Sequence, residues 1–246
     1  MNILIIGANS AIANALARRY AARHCSLFLV ARNEARLQSQ QQDLEVRGAK
    51  RTGGHVLDVL EHGQHGPAVK EAVDFFDGED IDIAVISHGS LPDQEAVEND
   101  FELAKREIDV NGLSVISLLT ELVPQFKQQG RGVLAVVTSV AGDRGRQPNF
   151  VYGAAKSMVS TYLQGLRGKL LGHGVHVIDI RPGLVDSPMT AKFEKGALWS
   201  TPELVAGKIE RAIDARRHTV YVPGYWRIIM AIVTSIPEVV FKRLKF

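Results

Sequence analysis

Tyr152 and Lys156 stand four residues apart in the stretch Asn149-Phe150-Val151-Tyr152-Gly153-Ala154-Ala155-Lys156-Ser157, with small residues between them. On a helix, positions i and i+4 share a face, so phenol and ammonium can meet in one cleft. An unperturbed phenol titrates near ~10, and a neighbouring cation favours the phenolate. The pair is expected to lower the phenol pKa and let it give or take a proton near neutral pH. Tyr-x-x-x-Lys also arises by chance, so its meaning depends on its surroundings. Ser139 lies thirteen residues before Tyr152, and the loop between them contains Gly. Such a loop can bring the two hydroxyls together over one substrate oxygen. Asn111 falls in Val-Asn-Gly-Leu-Ser, within a stretch of helical character. Asn followed by Gly is unfavourable mid-helix, which points to a functional reason.

The elements that must position these groups are visible as apolar runs. Asn2 to Gly7, Ser26 to Ala31, Ile81 to Ser87, Gly132 to Ser139 and Val175 to Ile180 read as buried strands. Val56 to Val59 reads as the end of a further strand, and Val222-Pro223-Gly224 as the end of the last. Helical patterns cover Ala11 to His24, Glu34 to Arg47, one long stretch from Asn99 to Gln128, and Phe150 to Leu171. Alternation of strand and helix predicts an α/β fold: a parallel sheet with helices on both faces. With no linker, repeat or low-complexity tract, residues 1–222 read as one domain, followed by a tail, 223–246.

Composition narrows the function classes. The chain has 246 residues and a formal net charge of +2, which does not suggest a nucleic-acid binder. Cys25 is the only cysteine, which excludes an internal disulfide or a thiolate metal cluster and fits a reducing, cytoplasmic setting. His55, His62 and His65 lack metal-ligand spacing and are expected at the surface. Gly7, Asn9, Ser10 and Asn14 interrupt any signal-peptide core. No apolar run reaches the ~18–20 residues of a membrane span.

Ligands of parallel sheets bind beyond the carboxyl ends of the strands. After the first strand comes Gly7-Ala8-Asn9-Ser10-Ala11-Ile12-Ala13, a turn into a helix N-terminus that could hold a pyrophosphate or be an ordinary βα turn. The second strand ends in Ala31-Arg32. A guanidinium there, in place of an acid, suits the 2′-phosphate of NADP(H) over NAD(H), unless Arg32 merely solvates a loop. Asp58 could bond an adenine amino group or a backbone amide. Ser87-His88-Gly89-Ser90 allows close passage beside a nucleotide, with His88 shaping the pocket wall.

With Asn111, Ser139, Tyr152 and Lys156 in order, the chain resembles the short-chain dehydrogenase/reductase family over about residues 1–220. The resemblance implies a Rossmann-like doubly wound sheet of about seven strands and hydride transfer from nicotinamide to a carbonyl. Tyr152 would be the proton donor and Ser139 would hold the substrate oxygen. Lys156 would bind the nicotinamide ribose, and Asn111 would anchor a relay water. It also implies that Val59 borders the nucleotide, and that Pro182-Gly183-Leu184-Val185-Asp186-Ser187 holds the carboxamide through the Val185 backbone and the Ser187 hydroxyl. The same resemblance implies a homodimer or homotetramer. The chain departs from the family pattern at Ile6, Ala11 and Ala13 of the turn, at Ser87-His88-Gly89-Ser90, and at Ser187, where Thr is commoner.

Pro148-Asn149-Phe150-Val151-Tyr152-Gly153, Arg181-Pro182-Gly183-Leu184-Val185 and the tail Trp226 to Phe246 look like the branch that contains the mycobacterial decaprenylphosphoryl-2-keto-ribose reductase. That branch reduces a keto sugar on a lipid carrier. The tail is too short to span a bilayer, but its Trp and Phe with Lys242, Arg243 and Lys245 suit an amphipathic surface anchor at the inner face of a membrane. Packing over the cleft or on a partner subunit is the other reading. Met189, Phe193, Leu198 and Trp199, in the loop from Ser187 to Thr201, could form an apolar lid. A nucleotide-sensing or scaffold protein without catalysis is the competing function, though a binding module needs no proton donor.

Overall fold

Strands that are apolar at every position must be covered on both faces, and the computed structural model shows how this chain does so. It describes residues 1–244; Lys245 and Phe246 of the basic tail lie outside the described residues. The strands are β1 (Asn2–Ile6), β2 (Ser26–Ala31), β3 (Arg51–Val56), β4 (Ile83–Ile86), β5 (Gly132–Val137), β6 (Val175–Pro182) and β7 (Thr219–Val222). They form one parallel sheet in the order β3-β2-β1-β4-β5-β6-β7. The helices are α1 (Ala11–Ala21), α2 (Glu34–Val46), α3 (His65–Phe75), α4 (Gln94–Asn99), α5 (Phe101–Ile108), α6 (Ser114–Gln129), α7 (Phe150–Leu170), α8 (Pro202–Asp214), α9 (Trp226–Ser235) and α10 (Glu238–Phe241).

Because side chains alternate along a strand, β1 feeds two cores. Ile3 and Ile5 pack with α1, α2 and α8, while Leu4 and Ile6 pack with α3, α6 and α7. Each such fully buried side chain contributes about 1.5–3 kcal/mol. Chain order reverses between β1 and β4, so the ligand crevice is expected at their carboxyl ends.

Two boundaries differ from the sequence reading. The third strand ends at Val56, not Val59, and Asp58 and Val59 lie in the turn beyond it. The single long helix from Asn99 to Gln128 is three helices. Asp100 caps α5 by accepting from the Leu103 amide, 3.0 Å, which starts a new helix at Phe101. A π-helical turn, Asp109–Leu113, then separates α5 from α6.

The tail folds back onto the domain. Trp226 and Met230 of α9 pack with Val140, just after β5. A Cβ at Gly183 would lie 1.8 Å from the Trp226 indole nitrogen, so the indole rests directly on that glycine. Arg144 donates to the carbonyls of Val233 (2.7 Å) and Ile236 (2.6 Å), closing the C-terminus of α9, and stacks 3.6 Å from the Phe241 ring centroid. Arg227 and the apolar Ile228 and Ile232 remain exposed on the outer side of α9. Among the described residues no helix is long and apolar enough to cross a membrane.

Candidate active site

Lys156 and Tyr152 leave α7 one turn apart, with the ammonium 5.7 Å from the phenol ring centroid. Lys156 is 3% exposed, and its only hydrogen-bond partner among the described residues is the Val137 carbonyl at 3.5 Å. Other donors of the ammonium are therefore unused. Ser139 begins the turn after β5, accepting from the Ala141 amide at 3.1 Å, and its hydroxyl favours ionisation of the Tyr152 phenol against the effect of burial. That turn lies flat on α7 because Gly142 and Gly153 leave no room for side chains. A Cβ on Gly142 would meet the Ser157 nitrogen at 2.8 Å, and one on Gly153 the Ala141 carbonyl at 2.7 Å. Glycine at these two places thus brings Ser139 to Tyr152.

The electrostatics correct one expectation. The phenol is not made acidic by Lys156: burial pushes Tyr152 up to about 12, opposed by the Ser139 hydroxyl and the charge of Arg146. Burial also lowers Lys156 to about 8, with Asp179 acting against it. Desolvation outweighs proximity at both groups.

Asn111 lies inside the π-helical turn rather than in a continuous α-helix, and it is fully buried. Such turns re-aim side chains at functional sites. Its amide oxygen accepts from the Ser90 amide (3.2 Å), and its nitrogen donates to Ser90 Oγ (3.1 Å) and the Glu107 carbonyl (3.0 Å). A Cβ on Gly89 would fall 2.7 Å from Asn111 Oδ1 and 3.3 Å from Lys156 Nζ, so Gly89 lets the chain pass between them. His88 donates from Nε2 to Ser114 Oγ at 2.8 Å, because that hydroxyl itself donates to the Val110 carbonyl, 2.9 Å. This leaves a bare Nδ1, buried with no partner among the described residues. Burial and the charge of Lys156 hold His88 near 3, a neutral ring.

At the other end, Gly7 takes φ +83° and its amide donates to the Val30 carbonyl at 2.8 Å. Ser10 caps α1 through the Ala13 amide (3.4 Å) and meets Ser87 Oγ at 3.2 Å. Asn9 reaches Gln40 at 3.5 Å, Ala11 opens the helix, and Ile12 packs against the core. Arg32 is largely exposed, with Asp58 Oδ2 3.8 Å away. Asp58 accepts from the Leu60 amide (3.1 Å), the backbone alternative foreseen for it, and the Val59 carbonyl accepts from His65 Nε2 at 3.1 Å. The surface expectation fails for His65, which is fully buried with Ser117 on its other nitrogen at 2.8 Å. Beyond β6, Pro182 ends the strand, Gly183 meets Trp226, and the Val185 carbonyl accepts from Thr190 Oγ1 at 2.7 Å. Ser187 Oγ lies 3.4 Å from the same hydroxyl.

A dinucleotide fits these residues. The positive-φ glycine opens onto a helix N-terminus, Lys156 keeps unused donors, and His88 Nδ1 is an orphaned acceptor. The sequence reading missed three contributors: Ser114, which fixes the His88 tautomer, and Arg144 and Arg146, whose Asp-Arg-Gly-Arg run it took as loop. A run of charges between two candidate site residues, Ser139 and Tyr152, was the available signal.

A doubly wound parallel sheet with a serine, a tyrosine and a lysine converging past its strand tips defines a nicotinamide-dependent oxidoreductase. The family model for short chain dehydrogenases matches residues 1–197, and the chain belongs to that family. It is 34% identical over 242 residues to an uncharacterized oxidoreductase of Mycobacterium tuberculosis, covering 98% of this chain and 96% of the relative. It is 32% identical over 190 residues to sulfoacetaldehyde reductase 2 of Chromohalobacter salexigens, covering 76% of this chain and 74% of that one. The fold superposes on a short-chain type dehydrogenase/reductase from Mycobacterium ulcerans with TM-score 0.82 at 20% identity, covering 95% of each chain.

Proposed function

We propose that the protein is an NADP(H)-dependent reductase that converts a ketone, such as a keto sugar or a carbonyl on an apolar carrier, to an alcohol. The observation that carries this reading is the meeting of Ser139 and Tyr152 hydroxyls beside an ammonium with unused donors. Bound NADPH would supply the hydride. Ser139 would hold the carbonyl oxygen, and Tyr152 would give its proton to that oxygen as charge develops. Lys156 would hold the ribose hydroxyls and stabilise the phenolate left behind. Asn111, wedged in the π turn, would keep the Ser90 loop beside the relay water. A name stating aldehyde reduction in one relative supports the direction. Nicotinamide fluorescence titration with a ketone panel tests the reading. Tight NADPH binding without turnover of any ketone would favour the sensor or scaffold instead.

A proton donor must be protonated and Lys156 must be charged. Tyr152 near 12 meets the first condition across the working range, while Lys156 near 8 meets the second only below that value. The kcat/KM for reduction is therefore expected to be level below about pH 7 and to fall tenfold per unit above about 8. A profile flat to about pH 10 would show that the charge on Lys156 is dispensable.

The exposed Arg32, with no closer anion than Asp58 among the described residues, supports the NADP(H) preference. Arg32→Ala is expected to weaken NADPH by about tenfold or more, the worth of one charge-assisted contact, and NADH hardly at all. Equal losses for both cofactors in kcat/KM would reject the assignment. For assembly, exposed Phe101 and Leu113 on the α5–α6 side support a homodimer or homotetramer. The exposed stripe of Ile228 and Ile232, with Arg227, Lys242 and Arg243 on the same tail, supports contact with a lipid surface or carrier. Buried, unpaired Cys25 supports a cytoplasmic setting.

A further inference from the structure

Charges withdrawn from water are normally paired. The loop from β5 to α7 carries three charged side chains, Asp143, Arg144 and Arg146. Asp143 accepts from Arg181 at 2.8 Å and from the Tyr221 hydroxyl at 2.9 Å. Arg144 is committed to the tail carbonyls and to Glu238, 2.9 Å. Arg146 has neither an ion pair nor a side-chain hydrogen bond among the described residues, and its Nε is buried without a partner. The carboxylate that acts on it most strongly is Asp143, which is already held twice. Arg146 stands on the turn that leads through Asn149 into α7, the helix of Tyr152, where the Asn149 carbonyl accepts from the Gly153 amide at 2.8 Å, and its charge favours ionisation of the phenol. Its position is fixed as well. The Arg146 carbonyl accepts from the Asn149 amide at 3.1 Å, and Asn149 leads directly into α7. The Asn149 side-chain oxygen is also buried without a partner, and an amide can turn its nitrogen toward an anion.

We propose that Arg146 binds an anionic group carried by the carbonyl substrate, a carboxylate, phosphate or sulfonate, and so sets its class. This rests on the reading of Tyr152 as the reacting end of the site and deepens it. The cofactor pyrophosphate is not the missing anion, because β4 separates the β1 turn that would hold it from the loop after β5. An oxyanion on the substrate completes the pairing and places the carbonyl at a defined reach from the guanidinium.

Matched carbonyl pairs test this in the NADPH-loaded enzyme: acetoacetate against butanone, dihydroxyacetone phosphate against dihydroxyacetone, and sulfoacetaldehyde against propanal. The wild type should prefer at least one charged member. Arg146→Gln should cut that charged-over-neutral ratio of kcat/KM by about tenfold or more, and Arg146→Lys should restore part of it. A ratio within one variant is insensitive to partial misfolding. No preference in the wild type, or a ratio unmoved by the substitution, would overturn the proposal. Calorimetric binding of the same three anions to the NADPH complex, in a Tyr152→Phe background, reads Arg146 without turnover. Binding weakened about tenfold by Arg146→Gln supports the anion site even where the reductase reading fails. Equal or absent binding in both variants rejects it.

Discussion

Tyr152→Phe is expected to lower kcat by about a hundred- to ten-thousand-fold, the usual worth of a positioned general acid. The ring stays, so the packing of α7 against the turn after β5 is preserved. What goes is the hydroxyl, and with it the proton that the proposed reaction would give to the carbonyl oxygen. Because that interaction matters in the transition state, kcat and kcat/KM should fall together. NADPH binding should change by no more than about threefold, since one hydroxyl contact is worth about 0.5–1.5 kcal/mol. Steady-state rates and a fluorescence titration on the same preparation check both halves. Turnover close to wild type would remove Tyr152 from the chemistry. Loss of binding together with loss of rate would instead mean that the phenol holds the cofactor more than it serves the carbonyl.

The grouping of the candidate residues was readable in the sequence where those residues follow a strand end. Gly7, Ser87, Ser139 and Pro182 each close an apolar run, and the parallel order brings those ends to one edge. The Tyr152–Lys156 spacing was readable because helix geometry alone puts i and i+4 on one face. What could not be read were properties set by distant parts of the chain. The partners of Asn111, in the π turn, include Ser90, 21 residues away, to which its amide donates. Burial of His65 depends on Ser117, 52 residues away. The direction of the Tyr152 shift depends on how much water the folded site excludes, and spacing carries no measure of that. The isolation of Arg146 is visible only once Asp143 and Arg144 have found their partners in β6, β7 and the tail.

Gly7→Ala tests the cofactor end as sharply as Tyr152→Phe tests the chemical end. Gly7 has φ +83°, where an L side chain is strained, and its new Cβ would lie 2.4 Å from the His88 backbone nitrogen. The obstacle is not a side chain that can swing away. His88 stands two residues past β4, and the Ser87 amide between them is bonded to the Ile6 carbonyl at 2.8 Å, so the obstacle is tied to the centre of the sheet. Gly183 is the contrasting case, since the three atoms nearest to a Cβ there all belong to the Trp226 side chain. Backbone strain at Gly7 alone is worth about 1–3 kcal/mol, and the overlap adds to it. Relief requires the turn to move, which shifts Ser10, the α1 cap, and the amides that would face the pyrophosphate. The expected result is a melting point lower by several degrees and NADPH affinity weakened by about tenfold or more. The Tyr152–Lys156 pair is left in place. Substituting Trp226→Ala should rescue Gly183→Ala but not Gly7→Ala, because only the former collides with a removable group. An alanine at residue 7 that bound NADPH as tightly as glycine would show that the turn after β1 is not where the phosphates lie.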